Sequence, residues 1–254
     1  MTATDKAAEL LSLHTGPELL VLVNVWDVAS ARTVAAQPGC QALATASAAI
    51  AASFGYPDGE HIPLDLVLDM TARIVAATDL PVSADLEAGY GDVATTIARA
   101  IAAGVAGANL EDQMRPLPQA AAAVQAAVNT ADREGVPLVL NARTDAFLVG
   151  DHSEAAQVLA DAIARGRAFL DAGASCVFVP GRLDAPTISE LVDAFDPGKL
   201  SLLGVPGSLP LAELAALGVA RVSYGPYPQR LALDALAGQA TTLLSDRGLP
   251  DNEI

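Results

Sequence analysis

Eight short apolar runs, each followed by a stretch with the length and spacing of a helix, succeed one another along this chain and leave few architectures open. The runs are Leu19–Val25, Cys40–Ala46, Pro81–Asp85, Val105–Glu111, Pro137–Ala142, Ser175–Val179, Leu200–Leu203 and Ala220–Ser223. The helical stretches that follow them are Asp27–Ala36, Leu64–Ala77, Asp92–Ala103, Gln119–Arg133, Ser153–Ala172, Pro186–Phe195, Pro210–Leu217 and Pro228–Leu244. Runs that are apolar at nearly every position, rather than at every second one, belong to strands buried on both faces, as in a parallel sheet. Glycine closes several of the helices, at Gly104, Gly173 and Gly218, and an apolar strand follows at once. Eight such units in 254 residues, with no Ser/Gly/Pro-rich linker between them, predict one α/β domain over residues 1–254, a closed (β/α)8 barrel of TIM type. A doubly wound open sheet is the alternative. It usually has fewer strands and a glycine-rich turn after the first, where this chain has Asn24-Val25-Trp26-Asp27.

In such a barrel the chemistry sits at the carboxyl ends of the strands, and the polar residues gather there. They are Asn24 and Asp27, Thr45 and Ser47, Asp85 and Glu87, Asn109, Glu111 and Asp112, Asn141, Arg143, Thr144 and Asp145, Arg182, then Ser223 and Tyr224. Asp27, Asp112 and Asp145 read as helix caps. Residues two apart on a strand face the same side, so Asp85 and Glu87 converge on one point, and alternation turns Glu111 and Arg143 towards the same axial pocket. Gly89 and Gly91 let the chain turn tightly before the helix that begins near Asp92.

Composition narrows what that pocket does. Fourteen Lys plus Arg against thirty Asp plus Glu leave a formal charge of −16, a field that disfavours nucleic acid and anionic membranes as partners. Charged residues interrupt every apolar run before it is long enough to span a bilayer. The amino terminus lacks the basic and apolar regions of a signal peptide, so a cytoplasmic enzyme is expected. Cys40 and Cys176 fall in strand-like runs and read as buried reduced thiols, and His14, His61 and His152 are scattered over loop-like positions, so a zinc site has no support. Three acids facing one arginine make a hard oxygen-ligand site that suits Mg²⁺, with Mn²⁺ as a substitute. A dication there polarises a carbonyl, and Arg143 clamps a carboxylate or phosphonate with two parallel hydrogen bonds. The residues by themselves reach metal-assisted chemistry on a small anionic oxo acid.

Asp85-Leu86-Glu87-Ala88-Gly89-Tyr90-Gly91, Asn109-Leu110-Glu111-Asp112 and Asn141-Ala142-Arg143-Thr144-Asp145 resemble the isocitrate lyase/phosphoenolpyruvate mutase superfamily. Asn24-Val25-Trp26-Asp27 and Phe54-Gly55-Tyr56-Pro57-Asp58-Gly59 are similar to its smaller members, and the likeness runs over about residues 17–245. It implies that Asp85 binds Mg²⁺ directly, while Glu87, where many members have aspartate, and Glu111 hold it directly or through water. It also implies that the backbone at Ser47 and Ala48 receives the substrate carboxylate, that Arg143 binds the anionic end, and that Asp58 is a catalytic acid on a mobile segment over the mouth, Phe54–His61. Asn24 and Arg182 are further substrate-binding candidates. The last helix is expected to be exchanged with a neighbouring subunit in a homo-oligomer, a tetramer.

The departures from the superfamily separate its reactions. Lyases for isocitrate and methylisocitrate resemble one another in a Cys-Gly-His segment after the Glu-Asp pair, where this chain runs Gln113-Met114-Arg115-Pro116-Leu117-Pro118. Phosphonate mutases and hydrolases share a longer gating segment and a histidine after the sixth strand, where this chain has Pro180-Gly181-Arg182. Three readings stand: a carbon–carbon lyase or decarboxylase acting on a small 2-oxo dicarboxylate, a phosphonomutase or phosphonopyruvate hydrolase, and an inert small-acid-binding protein.

Overall fold

The computed structural model describes residues 1–150 and 154–245. Its strands are β1 (Leu20–Val25), β2 (Leu43–Thr45), β3 (Val82–Asp85), β4 (Gly107–Glu111), β5 (Val139–Arg143), β6 (Cys176–Val179), β7 (Leu200–Leu203) and β8 (Arg221–Ser223). Each pairs in parallel with the next and β8 returns to β1, closing the barrel that the eight apolar runs predict. The helices are α1 (Ala3–Thr15), α2 (Val28–Ala35), α3 (Ser47–Ser53), α4 (Leu64–Ala76), α5 (Val93–Ala102), α6 (Leu117–Glu134), α7 (Ala146–Val149), α8 (Ala155–Asp171), α9 (Ala185–Phe195), α10 (Leu211–Ala216) and α11 (Tyr227–Leu244). Outward-facing strand residues such as Val82, Ala108, Leu140 and Val177 are buried against the helices. Among the described residues no helix is long and apolar enough to cross a membrane.

Three helices go beyond the sequence reading. α1 opens with a capping box, in which the Thr2 hydroxyl accepts from the Asp5 amide and the Asp5 carboxylate from the Thr2 amide. It closes the amino-terminal end of the barrel. A Cβ on Gly107 would meet Leu10 of α1 at 2.7 Å and the Val139 carbonyl at 2.8 Å, so only glycine lets the helix seat that closely. His14, read as a loop residue, is instead a buried residue of α1 whose Nδ1 lies 3.6 Å from Cys176 Sγ. α3 and α7 are short turns inserted after β2 and β5, where they meet the mouth.

The second strand is shorter than its apolar run. Cys40 lies in the preceding turn, half-buried, with its amide donating to the Gln37 carbonyl, so it is not a strand residue as the sequence suggested. Cys176 is fully buried at the start of β6, as expected. His152 and the Ser153 start of the fifth predicted helix lie outside the described residues.

Inside the barrel, alternation gives a layered lumen. Ser83, Asn109, Asn141, Cys176, Ser201 and Arg221 form a polar floor, each two residues before a residue at the mouth end of its strand. Arg221 is fully buried and crosses the lumen from β8, donating from Nη1 to Ser83 Oγ at 3.2 Å and from Nη2 to Asn109 Oδ1 at 3.3 Å. Asn141 Nδ2 donates to the same Asn109 oxygen at 2.8 Å, and the Cys176 thiol donates to Asn141 Oδ1 at 2.9 Å. Among the described residues Arg221 has no carboxylate within ion-pair distance.

Candidate active site

At the carboxyl ends of the strands a cavity of about 190 Å³ is lined by Asn24, Ser47, Ala48, Asp58, Asp85, Asn109 and Arg143 on its polar side. Leu148, Phe178, Pro180 and Leu203 form an apolar wall, and Arg230 lines it from α11. Six residues singled out in the sequence, Asn24, Ser47, Ala48, Asp58, Asp85 and Arg143, thus meet at one cavity. Arg182 does not: it is exposed and its guanidinium packs over Gly207 in the loop after β7, away from the lining.

Asp85 ends β3 half-buried, with its Oδ2 accepting from the Ser47 amide at 3.0 Å and its own amide donating to Thr45 Oγ1 at 2.9 Å. Ser47 begins α3, whose first turn has no side-chain cap, and its amide finds its partner outside the helix in Asp85. The Ser47 hydroxyl also donates to Asp58 Oδ1 at 3.2 Å, which draws the exposed turn carrying Asp58 over the mouth.

Glu87 departs from the strand geometry expected of it. β3 ends at Asp85, and Glu87 takes a left-handed φ of 49°, so strand alternation no longer governs its direction. The side chain is buried and accepts from the Glu60 amide and, at 2.9 Å, from Tyr90 Oη. Glu60 in turn accepts from the Tyr90 amide at 2.5 Å. Glu60, Glu87 and Tyr90 all have positive φ, at 62°, 49° and 52°, and their mutual hydrogen bonds hold three unfavourable backbone conformations together. Gly89 makes the turn possible, since at its φ of 94° an added Cβ would meet Val93 at 2.6 Å. Burial pushes the Glu87 carboxyl up to about 7, against the Tyr90 hydrogen bond and with help from Asp58 and Asp85.

Glu111 and Asp145 flank Arg143. Arg143 Nη1 is 2.8 Å from Glu111 Oε2, and its Nε donates to Asp145 Oδ1 at 2.6 Å. Burial pushes Glu111 up to about 7 although Arg143 pulls the other way, because Asp145, Asp85 and Glu87 add to the repulsion. Asp145 was expected to cap a helix; it stands at the start of α7 but makes no capping bond and pairs with Arg143 instead. Asp112 is likewise no cap: it accepts from the amides of Met114 and Asp145 and pairs with Arg165 at 3.1 Å. Asp27 does cap α2, accepting from the Ser30 amide at 2.7 Å.

Asn24 acts as a latch as well as a wall. Its Nδ2 donates to the Thr45 carbonyl at 2.8 Å, and its Oδ1 accepts from the amides of Tyr224 at 2.7 Å and Gly225 at 2.8 Å, tying β1 to β2 and to the chain after β8.

The donor set fits a hard dication. Asp58 and Asp85 line the cavity with Arg143; Glu87, Glu111 and Asp145 are near enough to feel the Asp85 charge; no thiol or imidazole stands among the described lining residues, and burial already raises the last three carboxyls. Among the described residues no three His, Cys, Asp or Glu side chains stand together as a ready chelate. Asp85 faces the cavity, while Glu87 and Glu111 are turned to Tyr90 and Arg143. Such donors suit an ion that keeps several of its waters, as Mg²⁺ does.

The thiols play no part in this arrangement. Cys176 is held in the floor with its pKa pushed up to about 12 by burial, and the neighbouring His14 is pushed down to about 3 by the same cause. Cys176→Ser keeps a donor to Asn141, and Cys40 lies outside the cavity. Both Cys40→Ser and Cys176→Ser are expected to leave turnover within about twofold in folded protein; loss of activity in either would point to thiol chemistry.

Residues 10–244 match the phosphoenolpyruvate phosphomutase family. An uncharacterised protein of Mycobacterium tuberculosis is 35% identical over 94% of this chain and 90% of its own length. Oxaloacetate decarboxylase of Paraburkholderia xenovorans is 31% identical over 92% of this chain and 80% of its own. A Burkholderia cenocepacia protein, provisionally described as a phosphonomutase, superposes with a TM-score of 0.89 at 42% identity, over 97% of this chain and 100% of that one.

Proposed function

This chain belongs to the phosphoenolpyruvate phosphomutase family, within the isocitrate lyase/phosphoenolpyruvate mutase superfamily, and on that premise we propose that it is a Mg²⁺-dependent lyase or decarboxylase. Its substrate is a small 2-oxo dicarboxylate of the oxaloacetate type, and breaking the carbon–carbon bond leaves an enolpyruvate. The make-up of the cavity wall carries this reading: carboxylates and arginines on one side, aliphatic and aromatic carbon on the other, and among the described residues no thiol and no imidazole. A departing group that needs protonation by a thiol finds no donor there. Carbon dioxide departs neutral and needs none. The likeness to an oxaloacetate decarboxylase supports the same choice.

Asp85 would hold the metal directly, with Glu87 and Glu111 in contact directly or through water. The ion supplies positive charge to the substrate's carbonyl oxygen as negative charge builds there. The amides that begin α3, at Ser47 and Ala48, would hold the carboxylate next to the carbonyl, the Ser47 amide exchanging its bond to Asp85 for one to the substrate. Arg143, kept rigid by Glu111 and Asp145, orients the reacting bond. Asp58, tied to Ser47 Oγ, covers the mouth and excludes water.

The test is pyruvate release from oxaloacetate, phosphonopyruvate and related 2-oxo acids with Mg²⁺, with Asp85→Ala as control for metal-catalysed background. Mg²⁺-dependent pyruvate from oxaloacetate above that control is expected. Pyruvate with phosphate from phosphonopyruvate alone would select carbon–phosphorus chemistry, and no turnover of any compound would leave a binding protein.

The enzyme is also expected to be a homotetramer in which α11, held to its own barrel through Gln229 in its first turn, is exchanged over a neighbouring subunit along the rest of its length. Leu231, Leu233, Leu236 and Leu244 are 68%, 53%, 63% and 89% exposed along that helix. Apolar grooves flank its start, one lined by Leu209, Leu211, Leu214 and Tyr224, the other by Trp26 and Val34. Light scattering at micromolar concentration should give the mass of four chains; a single-chain mass would remove the idea.

A further inference from the structure

We infer that Arg230 binds the carboxylate of the substrate that lies farther from the 2-oxo group, and so sets a preference for dicarboxylates over monocarboxylic 2-oxo acids. The inference rests on the reading above and deepens it. Among the described residues two guanidinium groups line the cavity, Arg143 and Arg230. Arg143 is already engaged by Glu111 at 2.8 Å and Asp145 at 2.6 Å, which together more than offset its charge. Arg230 has no carboxylate within ion-pair distance among the described residues. Among the described residues it is the cation of the wall left without an ion pair.

Its position is built, although the side chain itself is exposed. Gln229, the adjacent residue, is buried and donates to the Ala49 carbonyl at 2.8 Å and to Ser53 Oγ at 3.0 Å, fastening the first turn of α11 to α3. α3 is the helix whose opening residues, Ser47 and Ala48, line the same cavity. The Arg230 guanidinium carbon stands 5.3 Å from the centre of the Tyr227 ring, a cation–π contact between residues three apart that limits where the long side chain points. A planar fork held in this way takes a carboxylate through two parallel hydrogen bonds.

Charge balance gives the group something to do. Asp58 and Asp85 line the cavity of a chain with a formal charge of −16, so a dianion enters against a strong field. A dication at Asp85 offsets the oxo-acid end, and Arg230 offsets the other. Its effect falls on binding rather than on bond breaking. A carboxylate that leaves as CO₂ loses its charge on the way, and a cation that held it throughout would oppose that step.

The experiment compares Arg230→Gln and Arg230→Lys with the unaltered protein in the presence of Mg²⁺. Calorimetric titration is carried out with oxalate, which has no carbon beyond the metal-facing pair of carboxylates, and with malate, which carries a more distant one. Arg230→Gln is expected to weaken malate about tenfold or more and oxalate less than twofold, with Arg230→Lys in between; on any dicarboxylate that is turned over, KM should rise while kcat holds or increases. Malate binding within twofold of the unaltered protein overturns the inference and leaves the proposed function standing. Equal losses for oxalate and malate also overturn it, because they would show a general effect on the site. If the unaltered protein binds neither ligand with Mg²⁺, the proposed function falls and the inference with it.

Discussion

Replacing Asp85 by alanine is expected to abolish Mg²⁺ binding and Mg²⁺-dependent turnover while leaving the barrel folded. Of the three candidate metal acids it is the one whose carboxylate lines the cavity; Glu87 is turned to Tyr90 and Glu111 to Arg143. The variant gives up one structural bond, from the Ser47 amide, and in exchange removes a negative charge that now repels Glu87 and Glu111. Its melting temperature without metal should therefore stay close to that of the parent. With Mg²⁺ the two should diverge: a ligand at a hundred times its Kd stabilises the parent by about 2.7 kcal/mol, and Asp85→Ala should gain nothing. Glu87→Gln and Glu111→Gln should retain weakened binding if water stands between them and the ion. Calorimetric titration of all three decides, and equal loss in each would make the ligands equivalent.

Arg143→Ala should cost turnover about 10²- to 10³-fold, the usual consequence of removing one preorganised charge-stabilising group. It should also cost stability. Arg143 stands between Glu111 and Asp145, whose side chains are 12% and 10% exposed, and its loss leaves two carboxylates facing each other with little water. Breaking a buried pair in this way typically destabilises by about 3–5 kcal/mol. Arg143→Lys should recover part of the stability and little of the activity, because an ammonium is a point charge and cannot span both acids as the guanidinium does from Nη1 and Nε. Melting curves beside rate measurements separate the two effects. Full activity in a folded Arg143→Lys protein would show that a positive charge alone suffices.

The barrel was legible because strands covered on both faces are apolar throughout, a pattern that survives without any knowledge of contacts. What the pattern misses is local. Cys40 sits in a turn that follows Gly39, and its apolar neighbours do not distinguish a turn from a strand. α1 carried a readable signal, Thr2 and Asp5 at capping-box spacing, that was passed over. Asp58, Asp85 and Arg143 could be placed at the mouth from strand ends and motif order, but the direction of Glu87 could not, because it depends on a left-handed backbone held by Glu60, twenty-seven residues away. Arg221 and Arg230 were invisible for a related reason. A lone arginine in a three-residue strand, or on a helix, reads as a solvated charge until closure of the barrel and the Gln229 anchor show what surrounds it.

The floor of the lumen bears on attempts to give this barrel a new activity. Leu148, the exposed member of the apolar wall, can be varied by itself in a library, each change reshaping the space offered to a substrate. Arg221, Ser83, Asn109 and Asn141 share donors and acceptors across four strands, so a single replacement strands the partners of the residue it removes. Those four positions have to be redesigned as one unit, and screens that mutate them singly will return mostly unstable clones.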